Sequence, residues 1–338
     1  MMTNRKYHVY GIGAALVDTE IEVEDKELTA FGIEKGLMTL VDEARQQSLM
    51  AQLEDHLVVA RRASGGSGAN SIIAVSCFGG DCYYSCKVAD DENGHFYLAD
   101  LSAAGVHHPG NGALAKGTTG KCLVLITPDA ERTMNTYLGI SETISAANLD
   151  LDAVAASHYL YIEGYLVTSN SGRKACIVAR EHAEENGTKT ALSLSDPGLV
   201  AHFRSGLKEM IGQGVDLLFC NHEEALAWTG KANLSAAVEM MKAYARTFVI
   251  TLGARGALTY DGSQVHEIAP TPVTAVDTNG AGDMFAGAFL YGITSGMNYR
   301  QAGELASIAA GNVVTQFGPR LHRDQHKTVL ESWRGRTG

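Results

Sequence analysis

The residues best suited to chemistry lie in the run Asp-Thr-Asn-Gly-Ala-Gly-Asp at 277–283. Apolar side chains then recur at three- and four-residue intervals to residue 295, which predicts a helix that begins at or just before Asp283. Gly280 and Gly282 carry no side chain where the backbone must bend, so successive N–H groups can point at one spot on the positive end of the helix dipole. The pattern predicts an anion site with a carboxylate at its edge.

The spacing alone allows two interpretations of Asp283. In one, its carboxylate accepts the proton of a hydroxyl group while the neighbouring amides hold a phosphoryl group. In the other, it is an acidic residue in the first turn of a helix, which is a common stabilising feature. Spacing leaves both open.

Strands and helices alternate along most of the chain. The predicted strands are 7–13, 158–162, 189–193 and 216–220, and the predicted helices include 169–186, 223–228 and a final one at 301–316. This alternation implies a parallel sheet covered on both faces. Two polar segments, at 16–40 and 114–137, interrupt it and are predicted to form short strands.

Composition limits the classes of protein that fit. The chain has 338 residues, 45% of them apolar and 19% charged, as in ordinary globular proteins. A net charge of −11 argues against nucleic acid or an anionic membrane as a partner. No signal region and no run of about 18 apolar residues is present. The six cysteines suggest buried, reduced thiols. We expect a cytoplasmic protein, either a monomer or a homodimer.

The run at 277–283 resembles the C-terminal signature of the ribokinase-like (phosphofructokinase-B-type) small-molecule kinases. The resemblance implies that Asp283 is the catalytic base and that the amides of Gly280, Ala281 and Gly282 form the anion hole. It also implies one domain across residues 1–338: a three-layer α/β/α fold with a mostly parallel central sheet. The polar segments at 16–40 and 114–137 would then form a small β-sheet lid over the substrate.

The substrate side is indicated by a second motif. Gly65, Gly66 and Asn70 precede an apolar helix and resemble the first signature of the family, although a glycine pair can simply form a turn. The resemblance implies that the glycine backbone packs against a sugar ring, and that Asn70 and Asp18 bind its hydroxyl groups. The chain departs from many relatives at Ala14, where they have Asn.

The cofactor side is indicated by residues at the ends of later strands, where ligands bind in α/β sheets. Asn221 and Glu224 resemble the family motif that holds Mg²⁺ largely through water, although an Asn there is also a frequent helix N-cap. Thr251, Gly253 and Gly256 resemble its ATP-binding turn, and Asn312 is the position expected to face adenine.

Two further assignments rest on the same resemblance. Arg132 resembles the arginine that reaches the transferring phosphate in adenosine-kinase-like relatives, whereas a single arginine is most often a surface charge. Asp277, Asn279 and Gly318 occupy segments that bind a monovalent cation such as K⁺ in several relatives.

The implied reaction is phosphorylation of the 5′-hydroxyl of a nucleoside by ATP with Mg²⁺, adenosine giving AMP. Tyr165, Leu16 and Met134 are candidates for an apolar wall against the base. The alternatives are a kinase of ribose, fructose or a sugar acid, and a non-catalytic sensor that binds a nucleotide or sugar. A nicotinamide oxidoreductase is disfavoured because Leu16 breaks the Gly-x-Gly-x-x-Gly fingerprint that begins at Gly11.

Overall fold

The computed structural model describes residues 5–56, 61–110, 114–129 and 131–337; Ala130, within the predicted lid segment 114–137, lies outside them. The strands are β1 Tyr7–Ile12, β2 Leu16–Glu22, β3 Met38–Leu40, β4 Arg61–Gly65, β5 Cys82–Ser85, β6 Val88–Ala89, β7 Val106–His107, β8 Leu114–Ala115, β9 Gly120–Ile126, β10 Arg132–Tyr137, β11 Ser157–Glu163, β12 Lys189–Ser193, β13 Val215–Asn221, β14 Ala245–Thr251, β15 Ala257–Tyr260 and β16 Val265–Ile268. The α-helices are α1 Asp25–Ala30, α2 Glu43–Gln52, α3 Ser67–Cys77, α4 Glu92–Ala103, α5 Leu151–Ala155, α6 Asn170–Glu185, α7 Pro197–His202, α8 Arg204–Ile211, α9 His222–Thr229, α10 Leu234–Met241, α11 Ala281–Thr294, α12 Tyr299–Val313 and α13 Arg323–Thr337.

The larger sheet has the strand order β16-β15-β14-β13-β12-β11-β1-β5-β7. From β14 to β7 neighbouring strands run parallel, and β15 and β16 add an antiparallel edge. The predicted strand at 189–193 is β12, and the one at 216–220 forms the centre of β13. The mostly parallel sheet expected from the alternation is therefore present.

Helices cover both faces of this sheet. In β13, Leu217 and Phe219 pack into a buried cluster with residues of α3, α11 and α12. Leu218 and Cys220, which point the other way, pack with residues of α6, α8 and α9. Because both faces are buried, the strand reads as a continuous apolar run rather than an alternating one.

The second sheet, the lid sheet, has five strands in the order β3-β10-β9-β2-β4. Ile21 and Leu125 lie on its outer face and pack against α1 and α2, where they contact Leu28 and Leu49. Successive strand residues point to opposite faces, so Asp18 and its neighbours at positions 16 and 20 lie on the inner face. The outer face of the lid sheet is therefore covered by α1 and α2, and its inner face carries Asp18.

Three parts of the predicted lid differ from the structure. Strand β8, within the segment 114–137, pairs with β6 in a separate two-stranded sheet and not with the lid sheet. Residues 25–30 form helix α1 rather than extended chain, because the Glu27 side chain accepts a hydrogen bond from the Glu24 N–H at 2.7 Å and caps it. Strand β4 lies outside both predicted segments and pairs antiparallel with β2. Its sequence, Arg-Arg-Ala-Ser-Gly, lacks the apolar alternation that would have indicated a strand.

The C-terminal end also differs. The helix predicted at 301–316 is α12, but it is not the last, since α13 follows it. This helix is mostly polar and has few apolar residues to show a period; its Val329 is buried against the core. In the ranges that the structure describes, no helix has the length and apolar character needed to cross a membrane.

Candidate active site

The run at 277–283, the glycine loop, leads directly into α11. Gly280 caps the helix with a φ of 71°, and a Cβ there would lie 2.1 Å from the Pro319 carbonyl oxygen, so only glycine fits. No atom of the residues that the structure describes would lie within 4 Å of a Cβ on Gly282, so among them this turn borders open space. The Ala281 N–H already donates to the Thr278 carbonyl at 3.3 Å, which leaves Gly282 and Asp283 as the better-placed amides.

Asp283 is held by two side chains of α3. The Ser67 hydroxyl donates to Oδ1 at 2.6 Å, and the Asn70 amide donates to Oδ2 at 3.0 Å. Burial raises the pKa of Asp283, while the two hydrogen bonds and the positive charge of Arg132 act in the opposite direction. The carboxylate is thus oriented by its neighbours rather than free on a helix surface.

One polar side-chain atom of Asn70 has no hydrogen-bond partner among the described residues. The Asn70 Nδ2 binds Asp283, and the unpaired atom is the buried Oδ1. An unpaired buried acceptor is costly, and a bound hydroxyl group would satisfy it. Asn70 therefore connects the carboxylate to a position where a ligand hydroxyl fits.

Asp18 and the glycine pair form a single structural unit. A Cβ on Gly65 would lie 2.1 Å from the Asp18 carboxyl group, and Gly66 has a φ of 92°, with its Cβ position 2.4 Å from the Ala14 carbonyl oxygen. Neither position admits a larger residue. Burial, followed by the nearby Glu20 charge, raises the pKa of Asp18 to about 8.

Arg132 does not behave as a solitary surface charge. From β10 of the lid sheet its Nη1 donates to Asn279 Oδ1 at 2.9 Å, and its Nε to Thr278 Oγ1 at 3.3 Å. The lid thus places a guanidinium group on the glycine loop, next to the N-terminus of α11.

The segments expected to bind a monovalent cation are brought together. Asp277 is fully buried; its Oδ1 accepts from the Asn279 N–H at 2.8 Å and its Oδ2 from the Gly318 N–H at 3.0 Å. These bonds brace the glycine loop against the segment after α12. The K⁺ site itself stays a prediction.

Asn221 and Glu224 form a capping box at the start of α9. The Asn221 side chain donates to Glu224 Oε1 at 2.7 Å, and its N–H to Oε2 at 3.0 Å. Burial raises the pKa of Glu224 to about 8. Asn221 is therefore the N-cap of α9, as one of the two interpretations predicted.

The oxygen atoms of the same pair also suit a magnesium ion held through water. The described residues contain no cluster of three or more His, Cys, Asp or Glu that would hold a metal directly. Each oxygen of Glu224 accepts one hydrogen bond from Asn221, which leaves lone pairs for water. Hard oxygen donors acting through water fit Mg²⁺, which usually keeps several waters and binds substrate phosphates.

The predicted ATP turn follows β14, whose Thr251 pairs with Asn221 of β13. Gly253 and Gly256 have φ values of 59° and 91°, and a Cβ on Gly256 would lie 2.0 Å from the Ile268 carbonyl oxygen. Asn312 is exposed on α12, where its Nδ2 donates to the Ile308 carbonyl at 2.8 Å. The structure thus places the turn beside the Asn221 cap and leaves Asn312 bonded to its own helix.

The inner face of the lid sheet carries an apolar wall. Leu16 and Met134 pack there on Cys122, Val124 and Ile126. Phe317, which sequence reasoning missed, packs on the same cluster.

Tyr165 borders the core cluster that Leu16 also touches, and its hydroxyl donates to the Ser195 carbonyl at 3.4 Å. Ser195 has a φ of 69°, which is unusual outside glycine and is often found at functional sites.

Besides Phe317, two further site residues were missed by the sequence analysis. Ser67 lies between the glycine pair and Asn70, inside a motif that was recognised but in a position given no role. Glu163 is 1% exposed at the end of β11; its Oε2 accepts from the Ala14 N–H at 2.7 Å, and burial raises its pKa to about 8. An acid at the carboxyl end of an otherwise apolar strand was the available signal.

Comparison with known proteins gives consistent matches. The solved structure of a probable sugar kinase protein from Rhizobium etli CFN 42 has a TM-score of 0.92 at 30% identity, covering 97% of this chain and 99% of that one. The adenosine kinase of Sinorhizobium meliloti has a TM-score of 0.91 at 34% identity with coverage of 97% and 99%. The adenosine kinase of Saccharomyces cerevisiae is 26% identical over 327 residues, 91% of this chain and 95% of that protein.

The two solved structures confirm the predicted three-layer α/β fold with its mostly parallel sheet and separate small sheet. Residues 43–325 match the family described as pfkB family carbohydrate kinase, which implies the use of ATP and typically of Mg²⁺. This chain belongs to the pfkB family of carbohydrate kinases.

Proposed function

We propose that this kinase transfers the γ-phosphoryl group of ATP to the 5′-hydroxyl of a nucleoside, with adenosine as substrate and AMP as product. The observation that carries the proposal is the apolar wall of Leu16, Met134 and Phe317 on the inner face of the lid sheet. Asp18 lies on that face and pairs in register with Cys122, a member of the same cluster. A free sugar is mostly polar and buries little apolar surface, whereas a nucleobase has flat apolar faces that pack against such a wall.

The ribose is held by the substrate side of the site. Asp18 and the unpaired Oδ1 of Asn70 accept hydrogen bonds from its hydroxyl groups. Gly65 and Gly66 offer a backbone surface without side chains on which a flat ring can lie.

Asp283 orients the 5′-hydroxyl and accepts its proton. The burial that raises its pKa moves it towards the working pH, where a general base is most effective. The amides of Gly282 and Asp283, with that of Ala281 once it leaves Thr278, stabilise the negative charge that develops on the transferring group. Arg132 adds a positive charge beside them.

The cofactor side binds ATP with Mg²⁺. The Thr251, Gly253 and Gly256 turn receives the nucleotide, with Asn312 on the adenine side. Asn221 and Glu224 hold waters of Mg²⁺, which when bound neutralises phosphate charge.

The second candidate is a sugar kinase. It is favoured by one observation: the probable sugar kinase protein of Rhizobium etli has nearly the same TM-score as the adenosine kinase of Sinorhizobium meliloti. In that case the apolar wall closes the site instead of holding a base.

The test is ADP release with Mg-ATP on adenosine, inosine, guanosine, ribose and fructose, with an Asp283→Asn variant alongside. We expect turnover on adenosine that the variant loses by about 10²–10⁴-fold in kcat. Turnover on a free sugar and on no nucleoside would replace the proposal by the second candidate. An Asp283→Asn variant as active as the wild type would remove the role given to Asp283.

A further inference from the structure

The side chain of Asn279 is bound from two directions by the lid sheet. Its Oδ1 accepts from Arg132 Nη1 at 2.9 Å, and its Nδ2 donates to Glu20 Oε1 at 3.3 Å. Glu20 and Asn279 are each 7% exposed, so water competes weakly for these bonds. The amide can satisfy both neighbours in only one orientation, with its oxygen towards the guanidinium and its nitrogen towards the carboxylate.

The two partners come from different strands of the lid sheet. Glu20 lies on β2 and Arg132 on β10, and both strands pair with β9 between them. Their side chains share the inner face, since Glu20 lies opposite Val124 and Arg132 opposite Ile126, two residues further along β9. They reach Asn279 only while this face lies against the glycine loop.

Asn279 immediately precedes Gly280, the first residue of the turn into α11. Its backbone is fixed by Asp277, a bond within the core. Its side chain is fixed by the lid. If the lid sheet moved away, the Asn279 side chain would lose its bonds to Arg132 and Glu20, and of these three bonds only the backbone bond to Asp277 would still hold this residue.

We propose that Glu20 is a positioning residue: together with Arg132 it clamps the Asn279 side chain, so that the glycine loop takes its working conformation when the lid sheet lies against it. The inference rests on the proposed phosphoryl transfer at Asp283. It makes the lid a part of the anion site as well as a cover that excludes water.

Three variants distinguish the loss of the hydrogen-bond acceptor at Glu20 from the loss of its negative charge. Glu20→Ala removes the acceptor for Asn279 Nδ2. Glu20→Gln removes the negative charge that acts on Asp18 but retains an oxygen acceptor. Glu22→Ala is the matched control, because Glu22 lies on the same strand and face but is exposed.

The first measurement is hydrogen exchange of the peptide covering 277–283 in the ligand-free protein, which needs no substrate. We expect faster exchange in Glu20→Ala and wild-type exchange in Glu20→Gln and Glu22→Ala. Unchanged exchange in Glu20→Ala would overturn the proposal. Failure of the nucleoside assignment would leave this result untouched, so the two outcomes are distinguishable.

The second measurement is steady-state kinetics. In Glu20→Ala we expect kcat to fall about tenfold with the nucleoside KM within about twofold of the wild type, and Glu20→Gln to recover most of the loss. Adding Asn279→Ala to Glu20→Ala should cost no more than the larger single effect, because both remove the same clamp. Equal damage by Gln and Ala, or losses that multiply, would contradict the clamp.

Discussion

Asp283 receives hydrogen bonds from Ser67 and Asn70, both on α3, while Asp283 itself belongs to α11. Burial favours its neutral form, and the two donors favour its charged form. The net result is a pKa of Asp283 above the ordinary value of an aspartate. A raised pKa suits the role of general base that we propose for Asp283.

Ser67→Ala should shift the acidic limb of the kcat/KM pH profile to higher pH. The Ser67 hydroxyl stabilises the charged form of Asp283, so its loss raises the pKa of that group further. A profile measured between about pH 5 and 9 would show the shift. Ser76→Ala is the control, since Ser76 lies on the same helix but binds the Ala104 carbonyl. An unshifted limb would mean that Asp283 is not the titrating base.

At the scale of elements, the sequence predicted what local patterns encode. The alternation of strands and helices predicted the parallel sheet. The glycine loop predicted the start of α11, where Gly280 adopts a positive φ. Strand β4 was missed because it is held by pairing with β2, not by its own pattern. Glu163 was missed because its partner, the Ala14 N–H, is 149 residues away. Long-range contacts leave little trace in a single sequence.

A pair of glycine substitutions tests the turn into α11. Gly280→Ala should destabilise the protein by about 1–3 kcal/mol or more, since its φ is 71° and a Cβ would meet the Pro319 carbonyl. Gly282→Ala meets open space in the first turn and should stabilise folding slightly, by up to about 1 kcal/mol. It should nevertheless raise the KM for ATP, because the new methyl group occupies the space of the phosphoryl group.

Urea denaturation and ATP kinetics of both variants provide the measurements. A Gly282→Ala protein with wild-type KM and kcat would show that the open space beside this residue is not where phosphate binds.

At the scale of the whole molecule, the candidate site lies where the carboxyl ends of the parallel strands of the large sheet face the lid sheet. This junction buries carboxyl groups from separate elements. Asp18 comes from β2, Glu163 from the end of β11 and Glu224 from the start of α9, and burial is the largest cause of a pKa raised to about 8 in each. Burying these carboxyl groups costs stability when they are charged, which should be visible in the pH dependence of unfolding.

Stability should fall as the pH rises from about 5 to about 9. The pKa of Glu163 is about 8 in the folded protein against an ordinary value of 4.5, so the folded state binds more protons than the unfolded state between these values. The free energy of unfolding then decreases with increasing pH, by at most about 1.4 kcal/mol per pH unit for each such proton. Glu163→Gln removes one of these titrations while retaining an acceptor for the Ala14 N–H, and its curve should be shallower. Urea midpoints across this pH range, with the exposed Glu185→Gln as control, measure the slope. Identical slopes for Glu163→Gln and the wild type would mean that Glu163 is charged in the folded protein, held by its backbone donors in spite of its burial.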